Sequence, residues 1–472
     1  MTNARDRYLT VLRAHRLNFA APGGEEHWSP ELETARPERI REIQSEKLAA
    51  AVRYLYECSR FYREKFDRAK LAPSDIKSLE DAWKLPFTTK QELVEDASAA
   101  PPWGTYSPVP DDRWTSHGWA VFGTGGTTAA PRLFRFTVLD REMFRWLFAR
   151  GFFAMGVRPG DVGTLVSNYP PHMFFWGAHE GLNHMGVPMI AMGGFDLRRR
   201  INFLQMLSPT VLATTASYAL HMGGTMRELG LDPATSSVRL IASGGEPGAS
   251  IPSTKRRVEE MWNARLVDWF GATEFGPAAY TCRPQGGRTD GAPEIHFMED
   301  CYLVEVVDPR SLEPVPDGQP GMLVVTGLAT EGVPTLRYVV GDIVTLSRTP
   351  CPCGRTGARA VGGIQGRVDD MLSVFGIHVY PAALDDVIRG VPELSEAYEI
   401  VIEREGNTDR VTVVAEPRRD LPRAELGALA ARVEGEVRSQ LELRVRVDLR
   451  PYGSLPRDFK VRRIRDLRPA PR

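Results

Sequence analysis

A chain of 472 residues exceeds what one hydrophobic core supports, so at least two domains are expected. Apolar residues at 42% and charged ones at 25% exclude disordered and fibrous classes. Lys and Arg (59) nearly balance Asp and Glu (60), and the formal charge of -1 gives no field to draw in nucleic acid or an acidic membrane.

The first residues carry scattered charges and no apolar h-region, so no signal peptide is expected. The most apolar region, 165–195, is broken by Asn168, His172, Glu180 and Asn183, which argues against a membrane span. Five cysteines in so long a chain do not make a disulfide framework, and a cytoplasmic location is expected. Leu48, Val52, Leu55 and Tyr56 recur at helical spacing among charges and predict one long amphipathic helix over 38–67. In "LPFTTKQEL" (85–93) a turn leads into a helix capped by Thr88 or Thr89. From about 135 to 270, helical patterns alternate with short apolar runs: "VGTLVSN" (162–168), "TVLATT" (210–215), "VRLIASGGEPG" (238–248) and "ARLVDWFGATEFG" (264–276). Such runs entering Gly-rich turns and then helices predict a parallel α/β sheet. The stretch 301–346 reads as β-rich, with "CYLVEVVD", "GMLVVTGL" and "DIVTLSR" separated by turn residues. After "GRVDDML" (366–372) a smaller α+β segment runs to the end, so the boundary is placed at Asp369 and the domains at 1–368 and 369–472.

Several turns carry chemistry. "FGTGGTTAAP" (122–131) lacks the lysine of a P-loop and the third glycine of a dinucleotide fingerprint. What remains is a hairpin tip offering backbone N–H groups and the hydroxyls of Thr124, Thr127 and Thr128, donors suited to a pyrophosphate. A Gly/Thr-rich surface turn is the competing reading. "WFGATEFG" (269–276) sets Gly271, Thr273 and Glu274 in a turn after a strand, where a carboxylate could hold Mg²⁺ beside phosphates. "LRYVVGD" ends on Asp342, placed to accept from a ribose hydroxyl pair, and "QGRVDDM" puts Arg367 and Asp369 at the domain junction. "GSLPRDFKVRRI" (453–464) carries Lys460.

Together with "GVRPGD", "GGEPG", "CPCGR" and "GRVDDMLSVFGIHVYP", in this order, these segments resemble the adenylate-forming (acyl-CoA synthetase) superfamily, most closely its phenylacetate–CoA ligase group, from about residue 40 onward. The resemblance implies a large N-terminal domain of parallel-sheet α/β subdomains plus a β-rich part, and a small mobile C-terminal lid hinged at Asp369. It implies that Thr124, Gly125, Gly126, Thr127 and Thr128 contact the ATP phosphates, that Glu274 helps hold Mg²⁺, and that Gly271, Ala272 and Thr273 contact the nucleotide. Gly244, Gly245, Glu246 and Pro247 would line the adenine and acyl sites, Asp342 and Arg367 would bind ribose, and Lys460 would reach the α-phosphate. Attack of a carboxylate on a phosphate brings anions together, so a metal, a cation and backbone donors are what the transition state needs. The implied reaction is adenylation of an aromatic carboxylic acid, then acyl transfer to CoA. The chain departs from the group where Ala129-Ala130-Pro131 replaces Gly-Lys-Pro and where Gly125 replaces a serine, and Arg132 or Arg135 is then the candidate substitute cation. That departure keeps open a carrier-protein or amine acceptor, or nitrite activation for diazo formation. A binding protein that has lost catalysis is disfavoured by the joint presence of Glu274, Asp342, Arg367 and Lys460.

Cys351-Pro-Cys353 with Cys282 and His296 fits either a closed structural zinc set or separate buried thiols by spacing alone, and the resemblance implies zinc. Cys58 and Cys301 are expected to pack. The aromatic run in "YPPHMFFWGAHEGLNHMG" reads by itself as core, but the resemblance implies that Tyr169 and Phe174 line a pocket for an aryl group, with His172, His179 and His184 more ordinary core or surface residues. The basic stretch 437–472 reads as a solvated face or as a surface steering CoA. Relatives imply a homodimer; neither nucleic acid nor membrane is an expected partner.

Overall fold

The computed structural model describes residues 3–124, 132–166, 172–283, 294–368, 372–374, 377–379, 381–405, 408–441, 443–456 and 463–468, with the backbone alone at Pro247, 372–374, 377–379, Glu405 and Thr408. Near the N-terminus, two helices, Pro37–Cys58 and Arg60–Arg68, stand where the spacing predicts one. Ser59 between them is extended. Its hydroxyl donates to the Tyr106 carbonyl at 2.8 Å and accepts from the Tyr62 N–H at 3.3 Å, so a short polar side chain ends one helix and caps the next. Cys58 is exposed at this break, not packed, whereas Cys301 is buried. Thr89 is the cap of helix Lys90–Ala99, in a reciprocal capping box with Glu92.

The strands are β1 (Gly118–Gly123), β2 (Leu133–Thr137), β3 (Gly163–Leu165), β4 (Met189–Ala191), β5 (Val211–Thr214), β6 (Leu240–Gly244), β7 (Arg265–Ala272), β8 (Gly276–Thr281), β9 (Ile295–Phe297), β10 (Tyr302–Val307), β11 (Pro320–Gly327), β12 (Tyr338–Ser347), β13 (Arg359–Ala360) and β14 (Gly366–Arg367). Strands β4-β3-β5-β6-β7 are parallel neighbours, and β8 turns the sheet antiparallel. The order then runs β9-β13-β12-β11-β10, with β14 beside β12, so the β-rich part continues the same 12-stranded sheet. Strands β5 and β6 are buried along their whole length, as expected of strands covered on both faces. Alternation sorts the sides. Ala213, Ala242, Val267 and Trp269 join a core with helix Val138–Met155, while Leu212, Ile241 and Leu266 join another with helices Ala216–Glu228 and Pro252–Trp262. β1 and β2, which flank the Gly/Thr segment in the chain, form a separate antiparallel pair.

The C-terminal part adds β15 (Leu372–Val374), β16 (Ile377–Val379), β17 (Leu394–Glu405), β18 (Thr408–Pro417), β19 (Arg446–Leu449) and β20 (Ile464–Asp466). A four-stranded sheet, β19-β18-β17-β20, packs on helices Pro381–Gly390 and Arg423–Leu441 around its own core, including Leu384, Ile400, Val413 and Val433. Among the described residues, no helix is long and apolar enough to cross a membrane.

Candidate active site

Parallel strands expose their carboxyl ends along one edge, the usual place for a ligand in an α/β sheet. β6 ends there at Gly244, and a Cβ at that position would lie 2.8 Å from the Phe174 ring, so only glycine lets the strand and the ring meet. Phe174 lies against Phe148, whose ring centroid is 4.8 Å from that of Trp269. Phe174 therefore borders the "GGEPG" turn. Gly245 has φ +84°. Glu246 accepts from the Ser217 N–H at 2.7 Å, and Pro247 opens a short 3-10 turn reaching Ser250.

β7 ends at Ala272, and Thr273, Glu274 and Phe275 turn the chain into β8. Gly271 is required by the turn, because a Cβ would sit 2.5 Å from the Gly276 carbonyl. Glu274 is buried, and its Oε1 accepts from the Tyr338 hydroxyl at 2.9 Å and pairs with Arg132 Nη2 at 2.6 Å. Burial, with the Glu274 charge beside it, pushes the Tyr338 hydroxyl far up, so it stays a donor. Arg132 sits at the neck of the Gly/Thr loop. The Thr124 N–H donates to the Arg132 carbonyl at 3.1 Å, and the Arg132 N–H donates to Thr124 Oγ1 at 3.3 Å. Tyr338 begins β12, and four residues on Asp342 is the register partner of Arg367 in β14, with the guanidinium 3.7 Å from its carboxylate.

The structure thus gathers Thr124 and Glu274 around Arg132, Gly244 with Phe174, and Asp342 with Arg367. Gly125, Gly126, Thr127, Thr128, Ala129, Ala130, Tyr169, Asp369 and Lys460 lie outside the described residues. Of the histidines, His172 donates to the Gly123 carbonyl at the hairpin neck, 3.4 Å away. His184 turns to the Phe19 carbonyl and His179 to Asn183, so neither serves the slot. Sequence reasoning passed over Tyr338. Its only local signal is a polar-tipped aromatic opening the strand that carries Asp342.

Elsewhere, Cys282 just past β8, His296 in β9, and Cys351 and Cys353 after β12 bring their ligand atoms within 4.8 Å of one another. Cys282 and Cys351 Sγ are 4.0 Å apart, and Cys353 Sγ is 3.6 Å from His296 Nε2. A tetrahedral zinc with Zn–S bonds of about 2.3 Å needs sulfur separations of about 3.8 Å. The donor set and its spacing fit that ion.

The AMP-binding enzyme family matches residues 75–331, and the AMP-binding enzyme C-terminal domain matches 376–468. The phenylacetate-coenzyme A ligase of Thermus thermophilus is 32% identical over 459 residues, 93% of this chain and 99% of that one. Among solved structures, 2-hydroxyisobutyryl-CoA ligase in its postadenylation state with 2-HIB-AMP shares 30% identity, with 94% of this chain and 93% of that one covered and a TM-score of 0.87. The same ligase in its thioesterification state, with 2-HIB-AMP and CoA, covers 95% and 94% at 30% identity, with a TM-score of 0.70. A strand-end acidic turn beside a Gly/Thr hairpin, on a chain matched almost end to end, leaves one assignment: this protein belongs to the AMP-binding enzyme family and is an adenylate-forming ligase.

Proposed function

We propose that the protein uses ATP to adenylate an aromatic carboxylic acid and then transfers the acyl group to CoA, releasing AMP and pyrophosphate. The observation that carries this reading is the buried Glu274, held through Oε1 by Arg132 and Tyr338 at the neck of the Gly/Thr hairpin. Neither bond uses Oε2, and a carboxylate with an oxygen to offer suits Mg²⁺, which prefers hard oxygen ligands and keeps most of its shell for phosphates and water. When bound, Mg²⁺ would neutralise phosphate charge. Asp342 and Arg367 would hold the ribose, and Gly245, Glu246 and Pro247 would flank the adenine. Thr124 and the loop beyond it would take the β- and γ-phosphates through hydroxyls and backbone N–H groups, and Gly271, Ala272 and Thr273 would face the nucleotide from below. Lys460 would bring a cation to the α-phosphate from a C-terminal domain, 369–472, turning at Asp369 against the 1–368 domain.

An aromatic acid is favoured by the ring-lined approach of Phe174 to Gly244, backed by Phe148 and Trp269. Cys282, His296, Cys351 and Cys353 would hold a structural zinc, since four protein ligands leave no open position for chemistry. Pyrophosphate release with ATP, Mg²⁺ and a panel of aryl and short aliphatic acids, with and without CoA, tests the assignment. We expect aryl acids to give the highest turnover and CoA to yield a thioester. Faster turnover of aliphatic acids overturns the aromatic reading, and release only with nitrite moves the site to another oxyanion.

A further inference from the structure

Arg132 is a cation built into the mouth of this site. It immediately precedes β2, and its own N–H and carbonyl lock Thr124 across the hairpin neck. Its side chain crosses to Glu274 at 2.6 Å, and its guanidinium lies 5.9 Å from the Phe134 ring centroid on the same face of the hairpin. Burial works against its charge, but Glu274 and Tyr338 outweigh that, so the group is held as a cation. One Arg132 nitrogen serves Glu274. The other terminal nitrogen, Nη1, is buried and has no hydrogen-bond partner among the described residues. A buried guanidinium donor without an acceptor costs about 1–3 kcal/mol or more, and native structures seldom tolerate one without a use for it. Arg135 is not an equivalent. It lies on the opposite face, where Asp111 and the Val109 carbonyl take both terminal nitrogens.

We propose that Arg132 is a pyrophosphate-binding residue: Nη2 stays on Glu274 while Nη1 donates to a non-bridging oxygen of the β- or γ-phosphate of ATP bound beside Thr124 and Glu274. The inference rests on the reading of this hairpin as the ATP phosphate site. Its geometry also explains how one residue can serve two partners. The planar fork bonds a carboxylate on one side and a phosphate on the other, which the point charge of a lysine cannot reproduce. In this arrangement Arg132 ties the carboxylate that would hold Mg²⁺ to the leaving group that the metal would neutralise. Its effect belongs to pyrophosphate and leaves AMP, which lacks those phosphates, untouched.

The test is calorimetric titration of the full chain, in Mg²⁺, with pyrophosphate and separately with AMP, for wild type, Arg132→Gln and Arg132→Lys. Loss of one charge-assisted hydrogen bond should weaken pyrophosphate by about tenfold or more in Arg132→Gln. AMP affinity should stay within about twofold, and Arg132→Lys should recover part of the loss. Equal weakening of both ligands would assign Arg132 to supporting Glu274 alone and overturn the proposal, as would unchanged pyrophosphate binding. If Arg132→Gln unfolds, Arg132→Lys carries the comparison: a selective loss for pyrophosphate supports the role, and none overturns it. Wild-type protein that binds AMP but not pyrophosphate rejects this inference alone. Wild-type protein that binds neither rejects the site reading beneath it.

Discussion

Asp268 lies in β7 next to Trp269, with Oδ2 accepting from the Ser250 hydroxyl at 3.0 Å. Ser250 Oγ in turn accepts from the Ile364 N–H at 3.1 Å. One carboxylate thereby links the end of the Gly245–Ser250 turn to the segment that runs into Arg367. Its Oδ1 is buried without a partner among the described residues. Burial pushes its pKa from 3.8 up to about 7, the Ser250 bond and the Trp269 N–H pull against this, and the Glu246 charge adds to the rise. The sign follows from linkage. Below pH 4 both folded and unfolded chains carry the proton. As pH rises toward 7 the unfolded chain releases it first, so stability falls, and above 7 the full cost persists. Asp268→Asn should flatten that fall and raise the melting temperature above that of wild type at pH 8. The gain has a ceiling of about 4 kcal/mol, from three pKa units at about 1.4 kcal/mol each. Asp140, also held up at about 7 by burial, is unchanged in the variant, so the difference between the two curves reports Asp268. Parallel melting curves from pH 4 to 8 would refute it. Such a residue is not legible in a sequence, because Asp268 inside "ARLVDWF" gives no sign of which face of the sheet it meets.

At the scale of elements, legibility follows how local the cause is. The runs that became β5 and β6 announce themselves because strands buried on both faces must be largely apolar. Thr89 is readable because its capping partner Glu92 is three residues away. The break at Ser59 is not, since helical spacing continues on both sides and the decisive bond goes to Tyr106. The two-residue strands β13 and β14 are likewise set by their neighbours, and the second of them brings Arg367 to Asp342. The Cys/His cluster lies between these cases. Its residues stand out, but their meeting depends on β9 pairing with β8 and β13. If the cluster holds zinc, it cross-links the end of β8, β9 and the turn after β12. Elemental analysis of protein purified without chelator should give one zinc per chain. Stripping the ion, or Cys353→Ser, should lower the melting temperature by on the order of 5 °C, because an ion bound only by the folded state adds to its stability. Substoichiometric zinc, or a melting point indifferent to chelator, would reject the site.

Across the whole molecule, the C-terminal part docks through two helices that complete each other's ends. Helix Pro252–Trp262 has Ile251 at its N-cap and no side-chain cap of its own. Asp386, from helix Pro381–Gly390, accepts from the Ser253 N–H at 2.9 Å and places a carboxylate at that positive end. In return, Arg257 donates to the Arg389 and Leu394 carbonyls at 3.3 and 3.1 Å, at and just beyond the other helix's negative end. Burial, with Arg418 and Arg389 nearby, lowers the Arg257 pKa to about 10, which leaves it charged at neutral pH. Arg389 Nη2 reaches Ser217 Oγ at 3.4 Å, beside the Ser217 N–H whose acceptor is Glu246, so the docked helix abuts the "GGEPG" turn. The similar CoA ligase fits this chain better in its postadenylation state than in its thioesterification state, although coverage and identity are alike. If this chain passes through two such arrangements, the reciprocal caps belong to the one described, and weakening them should bias the reaction toward the other. A lost cap costs about 1 kcal/mol, roughly a fivefold change in population. For Asp386→Ala and Arg257→Ala we expect single-turnover pyrophosphate release to slow by about fivefold. Thioester formation from presynthesised acyl-adenylate and CoA should be unchanged or faster. Equal slowing of both steps would mean that the contact only stabilises the fold, and no change in either would remove it from the reaction. An opposite split, with thioester formation alone impaired, would assign this docked arrangement to the second half-reaction.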